Sequence, residues 1–305
     1  MSLAIGNEVL SATVNARAGG TITQLHHRPS GLSVLGQVPW TAIEDPLPAP
    51  ARNEPEWLTR YTGGWPLLFP NAGDACTVDG VFHGFHGEAS ISPWDVTSTG
   101  PATLVLARRF TAVPAFMQRE ISLAGDTLTI RETLKHHGEK AISVMWGHHP
   151  TFGSDLLDGP FEITSGAAEM TTEPAFAPPA SADLLRPSAP LASLAYLQRF
   201  EQPWAAIRRC DDAIAVLLTW DGVRFPCAWL WHELEATADA PWSGRTRLVA
   251  IEPNTTPCCL GLAEATARGA PLLRLAPGEQ VTAHIHLRVF RPAGPITTPQ
   301  TARPS

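Results

Sequence analysis

Three runs of alternating apolar and polar residues, with turns between them, constrain this chain more than any other feature. Residues 102–110 (ATLVLARRF), 116–123 (FMQREISL) and 127–135 (TLTIRETLK) each have strand length, and Ala124-Gly125-Asp126 closes a tight connection between the last two. A period of two puts alternate side chains on opposite faces, so one face of each run is buried and the other solvated. Strands joined by such short turns pair antiparallel, as a meander. A chain built on that unit must cover a sheet face with another layer.

The rest of the chain reads the same way. Residues 9–27 predict two strands around Ala18-Gly19-Gly20, and 141–146 predict a strand that runs into Gly147-His148-His149-Pro150. Further strands are expected at 204–207, 213–220, 227–234, 247–251, 272–275 and 281–290. Residues 39–57 hold five prolines and keep neither a strand nor a helix period, which predicts a surface loop. Residues 171–190, rich in Ala, Pro and Ser, predict an excursion, and one short helix is expected at 260–268. Many strands, few helices and no βαβ alternation predict an all-β protein, a large antiparallel β-sandwich of two sheets packed face to face. The expected organisation is a single domain over 1–291 followed by a disordered tail over 292–305.

Composition permits that architecture and narrows the partners. With 44% hydrophobic and 17% charged residues there is enough apolar surface for one large core. A net charge of −7 argues against a nucleic-acid surface, which needs clustered Lys and Arg. The five cysteines are irregularly spaced without a CxxC pair, so neither a disulfide framework nor a zinc site is expected. The first 20 residues lack the signal-peptide pattern, and no apolar run is long enough to span a bilayer. These readings predict a cytoplasmic protein, away from membranes, that is a monomer or homodimer.

Titratable residues gather where the strand pattern breaks. Residues 63–94 are dense in glycine and aromatics and contain His83, His86 and Glu88; His148 and His149 end one strand; Glu252 ends another and precedes Pro253. Strand ends and loops are where scaffolds present functional groups. For Glu252 the plain alternative is an exposed acid at a strand end, and for either histidine a satisfied structural imidazole. If their strand continues, His148 and His149 point to opposite faces. The spacing of His83, His86 and Glu88 matches no common zinc signature, and His284 with His286 lacks a downstream acid, so no metal and no cofactor is expected. Ten tryptophans, among them Trp65, Trp94, Trp146, Trp229, Trp231 and Trp242, flank these groups. Aromatic faces beside polar groups suit a sugar, although sandwich core uses the same residues.

Four motifs in order resemble the aldose 1-epimerase (mutarotase) superfamily: LLFPNAG from Leu67, HGEASISPW from His86, HPTF from His149 and AIEPNTT from Ala250. The resemblance implies a large β-sandwich that interconverts the α and β anomers of a free or modified aldose without a cofactor. It assigns the general acid to His149 and the general base to Glu252, with His86 binding the sugar. Asn71, Asp74, Trp65 and His148 complete the expected substrate-binding set. The chain departs from the family at Asp74 and Ser90, which stand where relatives carry arginines, and at Thr151, which stands where they carry tyrosine. Arg60, Arg245 or Arg247 are the candidates to replace the missing cations. The rival readings are a non-catalytic sugar-binding protein and a glycoside hydrolase or lyase that pairs Glu88 or Glu235 with Glu252.

Overall fold

The computed structural model describes residues 2–43, 45–46, 49–174 and 184–300. Four strands, Ser2–Gly6, Leu10–Asn15, Thr21–His27 and Leu32–Ser33, form a sheet in chain order. A second sheet has 13 strands. Its main path runs Leu67–Leu68, Gly147–His148, Arg247–Asn254, Cys227–Leu234, Leu191–Arg209, Ala215–Trp220, Gln280–Phe290, Thr127–His136, Ala115–Ala124, Thr103–Arg109 and Asp95–Thr99. The expected meander forms its last third, with Ala115–Ala124 paired antiparallel to both neighbours. Along that strand Ala115, Met117, Arg119, Ile121 and Leu123 are buried while the residues between them are not, as a period of two requires.

The long strand Leu191–Arg209 joins the two halves of this sheet. Residues 191–197 pair with Cys227–Leu234, whereas 204–208 pair with Ala215–Trp220. One contiguous apolar core contains Leu230, Val249 and Ile251 from the first half, Ile121, Ile130, Leu218 and Ile285 from the second, and Leu10, Val14 and Ile22 from the four-stranded sheet. The sheets therefore face one another across a shared interior, which is the all-β sandwich expected. Each such side chain contributes about 1.5–3 kcal/mol of transfer free energy when fully buried.

Strands Cys227–Leu234 and Arg247–Asn254 differ from the meander because nearly every residue in them is buried. One face belongs to the core through Ala228, Leu230, Val249 and Ile251; the other carries Trp229, Trp231 and Glu252 beneath a second layer of loops.

Three expectations need revision, and one strand was not anticipated. Residues 39–57 are not all loop, because Glu54–Leu58 is a short helix whose cap, Asn53, accepts a hydrogen bond from the Glu56 N–H at 3.0 Å. The excursion expected at 171–190 begins inside strand Phe161–Thr172 and ends just before strand Leu191–Arg209, and its centre, 175–183, lies outside the described residues. Asp95–Thr99 is an edge strand whose residues are all exposed, so no apolar alternation marks it. In the expected tail, Ile296 is buried against Trp204, Leu217 and Phe290, while 301–305 lie outside the described residues. The helix expected at 260–268 is found as Gly261–Ala267.

Candidate active site

Sheet register brings the two central residues together. Gly147 lies opposite Asn254, and Thr151 lies opposite Ala250. Counting inward along antiparallel partners brings His149 level with Glu252. Pro150 has no N–H to give, so the ladder opens here, and the His149 N–H bonds instead to the Pro66 carbonyl at 3.0 Å. The His149 Nε2 and Glu252 Oε1 atoms stand 3.4 Å apart.

Both side chains are buried, at 6% and 1% exposure. Burial pushes the Glu252 carboxyl well above its ordinary range, and the Oε2 atom has no hydrogen-bond partner. Burial also lowers the His149 imidazole to about 4. Both shifts have one cause, the cost of charge in a poorly solvated site, so the pair favours its overall neutral forms with a single proton to share.

A hydroxyl chain decides which imidazole nitrogen is available. The Thr151 hydroxyl lies 3.2 Å from the buried His149 carbonyl and 2.9 Å from His149 Nδ1, and the arrangement that satisfies the carbonyl has the hydroxyl donate to it and accept from Nδ1. Its remaining lone pair takes the Tyr61 phenol at 2.6 Å. Nδ1 therefore carries a hydrogen and Nε2 is the atom that gains or loses a proton toward Glu252.

These groups line a cavity of ≈180 Å³ whose walls are largely aromatic: Trp57, Tyr61, Phe85, Trp229, Trp231 and Trp242. Trp229 sits opposite Glu252 in the strand register, and Trp231 sits opposite Leu194, so the floor is one cross-strand face. Trp57 stacks on Tyr61 at 4.6 Å and is held by the Ser90 hydroxyl, which accepts from its indole N–H at 3.0 Å. His86 enters from the loop side with a left-handed φ of 56°, its N–H bonded to the Gly73 carbonyl and its Nδ1 accepting from the Gly73 N–H, both at 2.9 Å. Its hydrogen is thereby fixed on Nε2. Burial, and secondarily the nearby His149, keep His86 far below its ordinary pKa, so it is a neutral donor.

Of the expected residues, His149, Glu252, His86 and Asp74 line this cavity; Trp65, His148 and Asn71 do not. Trp65 and His148 face the interior, where the indole N–H of Trp65 donates to His148 Nδ1 at 3.2 Å and His148 Nε2 meets Glu132 at 3.1 Å. Glu132 is held in turn by Trp146 at 3.0 Å and by the buried Arg119 at 3.4 Å. Period-two alternation explains the split, since His148 must face away from His149. Asn71 works as a brace: its amide donates to the Asp74 and Gly84 carbonyls, and its oxygen accepts from the Leu262 N–H.

Other candidates are corrected by geometry. Glu88 is buried and satisfied by Arg108, the Thr111 hydroxyl and the backbone of Thr111 and Ala112; Glu235 is exposed and pairs with Arg247. Neither lines the cavity, so neither forms a carboxylate pair with Glu252 across it. His83 lines a different cavity, which separates it from His86. Arg60, Arg245 and Arg247 are also absent from the lining, which among the described residues contains no Lys or Arg. Tyr61, Trp57, Glu54 and Cys259 are lining residues that sequence reasoning missed. Asn53 followed by Pro55 is a helix-start signal that would have placed Trp57 on a structured element, with Tyr61 just beyond its end.

Solved structures share this architecture over almost the whole chain. A galactose mutarotase-like protein from Clostridium acetobutylicum superposes with a TM-score of 0.68 at 16% identity, covering 95% of each chain. The chain has the galactose mutarotase-like fold. A second galactose mutarotase-like protein, from Lactobacillus casei, gives 0.66 at 16% identity over 95% of this chain and all of the other. An aldose epimerase homologue from C. elegans gives 0.65 at 14% identity, covering 95% and 99%. No protein-family profile matches the sequence, and no curated protein matches it significantly. At these identities the mutarotase-like fold is what is shared. The chemistry must be argued from the residues.

Proposed function

We propose that this protein interconverts the α and β anomers of a free aldose, with His149 and Glu252 as the proton-transferring pair. The observation that carries the reading is the buried His149–Glu252 contact of 3.4 Å on an aromatic-walled cavity. Ring opening needs one proton removed from the anomeric hydroxyl and one delivered to the ring oxygen. A pair that shares one proton can do both without net gain or loss.

In the free site burial favours the proton on Glu252. A sugar hydroxyl that donates to the unpartnered Oε2 stabilises the carboxylate, and Nε2 of His149 then holds the proton. Glu252 accepts the proton of the anomeric hydroxyl while His149 gives its proton to the ring oxygen. The C1–O5 bond breaks and C1=O1 forms. Rotation about C1–C2 presents the other carbonyl face, and the reverse transfers close the ring as the opposite anomer. His86 donates from Nε2 to a sugar oxygen, and the tryptophans cover the apolar ring faces.

Each positioned acid or base contributes about 10²–10⁴ in rate. Two-dimensional NMR exchange between anomers of a panel of aldoses tests the proposal. The purified protein is expected to accelerate exchange of at least one sugar, and Glu252→Gln or His149→Asn to reduce that rate about 100-fold or more. Exchange at the wild-type rate in Glu252→Gln would overturn it.

A further inference from the structure

The charge around the cavity indicates which sugars enter. Glu54 and Asp74 line its mouth, both exposed, while Glu252 and His149 lie buried below. Among the described residues, neither Glu54 nor Asp74 makes a side-chain hydrogen bond or an ion pair, and the lining contains no Lys or Arg. Three arginines of the surrounding elements have partners of their own: Arg52 pairs with Glu56, Arg60 donates to the Asp45 carbonyl, and Arg268 pairs with Glu264 and Glu173. Partial desolvation at the cavity rim, and then repulsion by a neighbouring carboxylate, Asp74 for Glu54 and Glu173 for Asp74, raise both although each keeps an exposed edge. Glu252, which lines the same cavity, is 1% exposed and its Oε2 has no hydrogen-bond partner.

Resting on the anomer-exchange reading, we infer that the preferred substrate is an aldose with a protonated amino group on the side of the ring away from C1. The reacting end must reach His149 and Glu252 at the floor, which leaves the far end beside Glu54 and Asp74. An ammonium there supplies the positive charge the rim lacks. The faces of Trp57 and Trp242 in the same wall also attract a cation through their ring quadrupoles. A phosphate or carboxylate at that position would meet two carboxylates instead, and no cation in the lining would offset them.

The test compares 6-amino-6-deoxyglucose, glucose and glucose 6-phosphate, each by NMR anomer exchange and, independently of catalysis, by saturation-transfer difference binding. Wild type is expected to favour the amino sugar over glucose on the order of fivefold in kcat/KM and in affinity, the size of one or two exposed ion pairs. The preference should shrink as salt rises. In the double variant Glu54→Gln/Asp74→Asn the amino-to-neutral ratio should fall to about one. Both positions are exposed, so the fold should tolerate the changes. Equal or weaker binding of the amino sugar, a preference for the phosphate, or an unchanged ratio in the double variant would overturn the inference. Failure of every sugar to exchange faster would instead remove the anomer-exchange reading, and the binding ratio would still decide the charge preference.

Discussion

Thr151→Val changes little in shape and deletes the hydroxyl that fixes the His149 imidazole. Thr151 is 0% exposed, and its oxygen accepts from His149 Nδ1 at 2.9 Å and from Tyr61 at 2.6 Å. The variant leaves those two buried donors without partners. Each orphaned group costs about 1–3 kcal/mol, so after partial relaxation the loss of stability is about 2–4 kcal/mol. The kinetic effect is separate. Without an acceptor at Nδ1 the imidazole can shift its hydrogen to Nε2, removing the lone pair that receives the shared proton. It can also turn away from Glu252, and a misplacement on the order of 1 Å costs about 100-fold. We expect kcat for anomer exchange to fall about 10- to 100-fold with KM little changed, because the hydroxyl meets no sugar atom. Thr151→Ser keeps the acceptor and should restore most of the rate. Exchange NMR gives the rates, and long-range nitrogen–proton correlation of the imidazole gives the tautomer. A Thr151→Val protein with full kcat and its hydrogen still on Nδ1 would refute the reasoning.

Two further outcomes follow from the same geometry. His149 and His232 are each lowered to about 4 by burial, against 6.5 in an unfolded chain, so the unfolded state binds more protons between those values. Stability should therefore fall as pH drops from about 6.5 toward 4. Glu252, raised by burial, acts in the opposite sense, its contribution being lost as pH rises through its folded value. Urea titrations at several pH values should show the acid-side loss, and His232→Gln should reduce it; an unchanged slope contradicts the histidine assignment. Gly73→Ala should cost about 2 kcal/mol or more, because φ is +82° and the added carbon would stand 1.7 Å from the Cys259 carbonyl oxygen, a backbone atom that cannot rotate away. Unfolding midpoints equal to wild type would contradict that packing.

The regular parts of the fold were legible because alternation is a local signal. The strand expected at 227–234 matches Cys227–Leu234 residue for residue, and the meander is displaced by at most one residue at each end. Strands that lack a single buried face were not legible: all residues of Asp95–Thr99 are exposed, and Leu191–Arg209 changes partner midway. In the site, His149 and Glu252 stood out because each ends an apolar run before a proline. Their meeting depends on register between strands about 100 residues apart, which no local pattern encodes. Tyr61 and Trp57 were hidden for another reason. Their function is to hold Thr151 and to wall the cavity, and both come from a proline-rich stretch whose helix is five residues long. Trp65 and His148 misled because an aromatic beside a histidine looks alike in a site and in a core.

The central claim is that one proton moves between His149, Glu252 and the two oxygens of a sugar hemiacetal. It is tested most directly by exchange NMR on the sugar that wild-type protein turns over fastest, with Glu252→Gln measured beside it at matched fold stability. The account predicts a sugar that still binds, with anomer exchange slowed about 100-fold or more. Exchange as fast as wild type with bound sugar would contradict it.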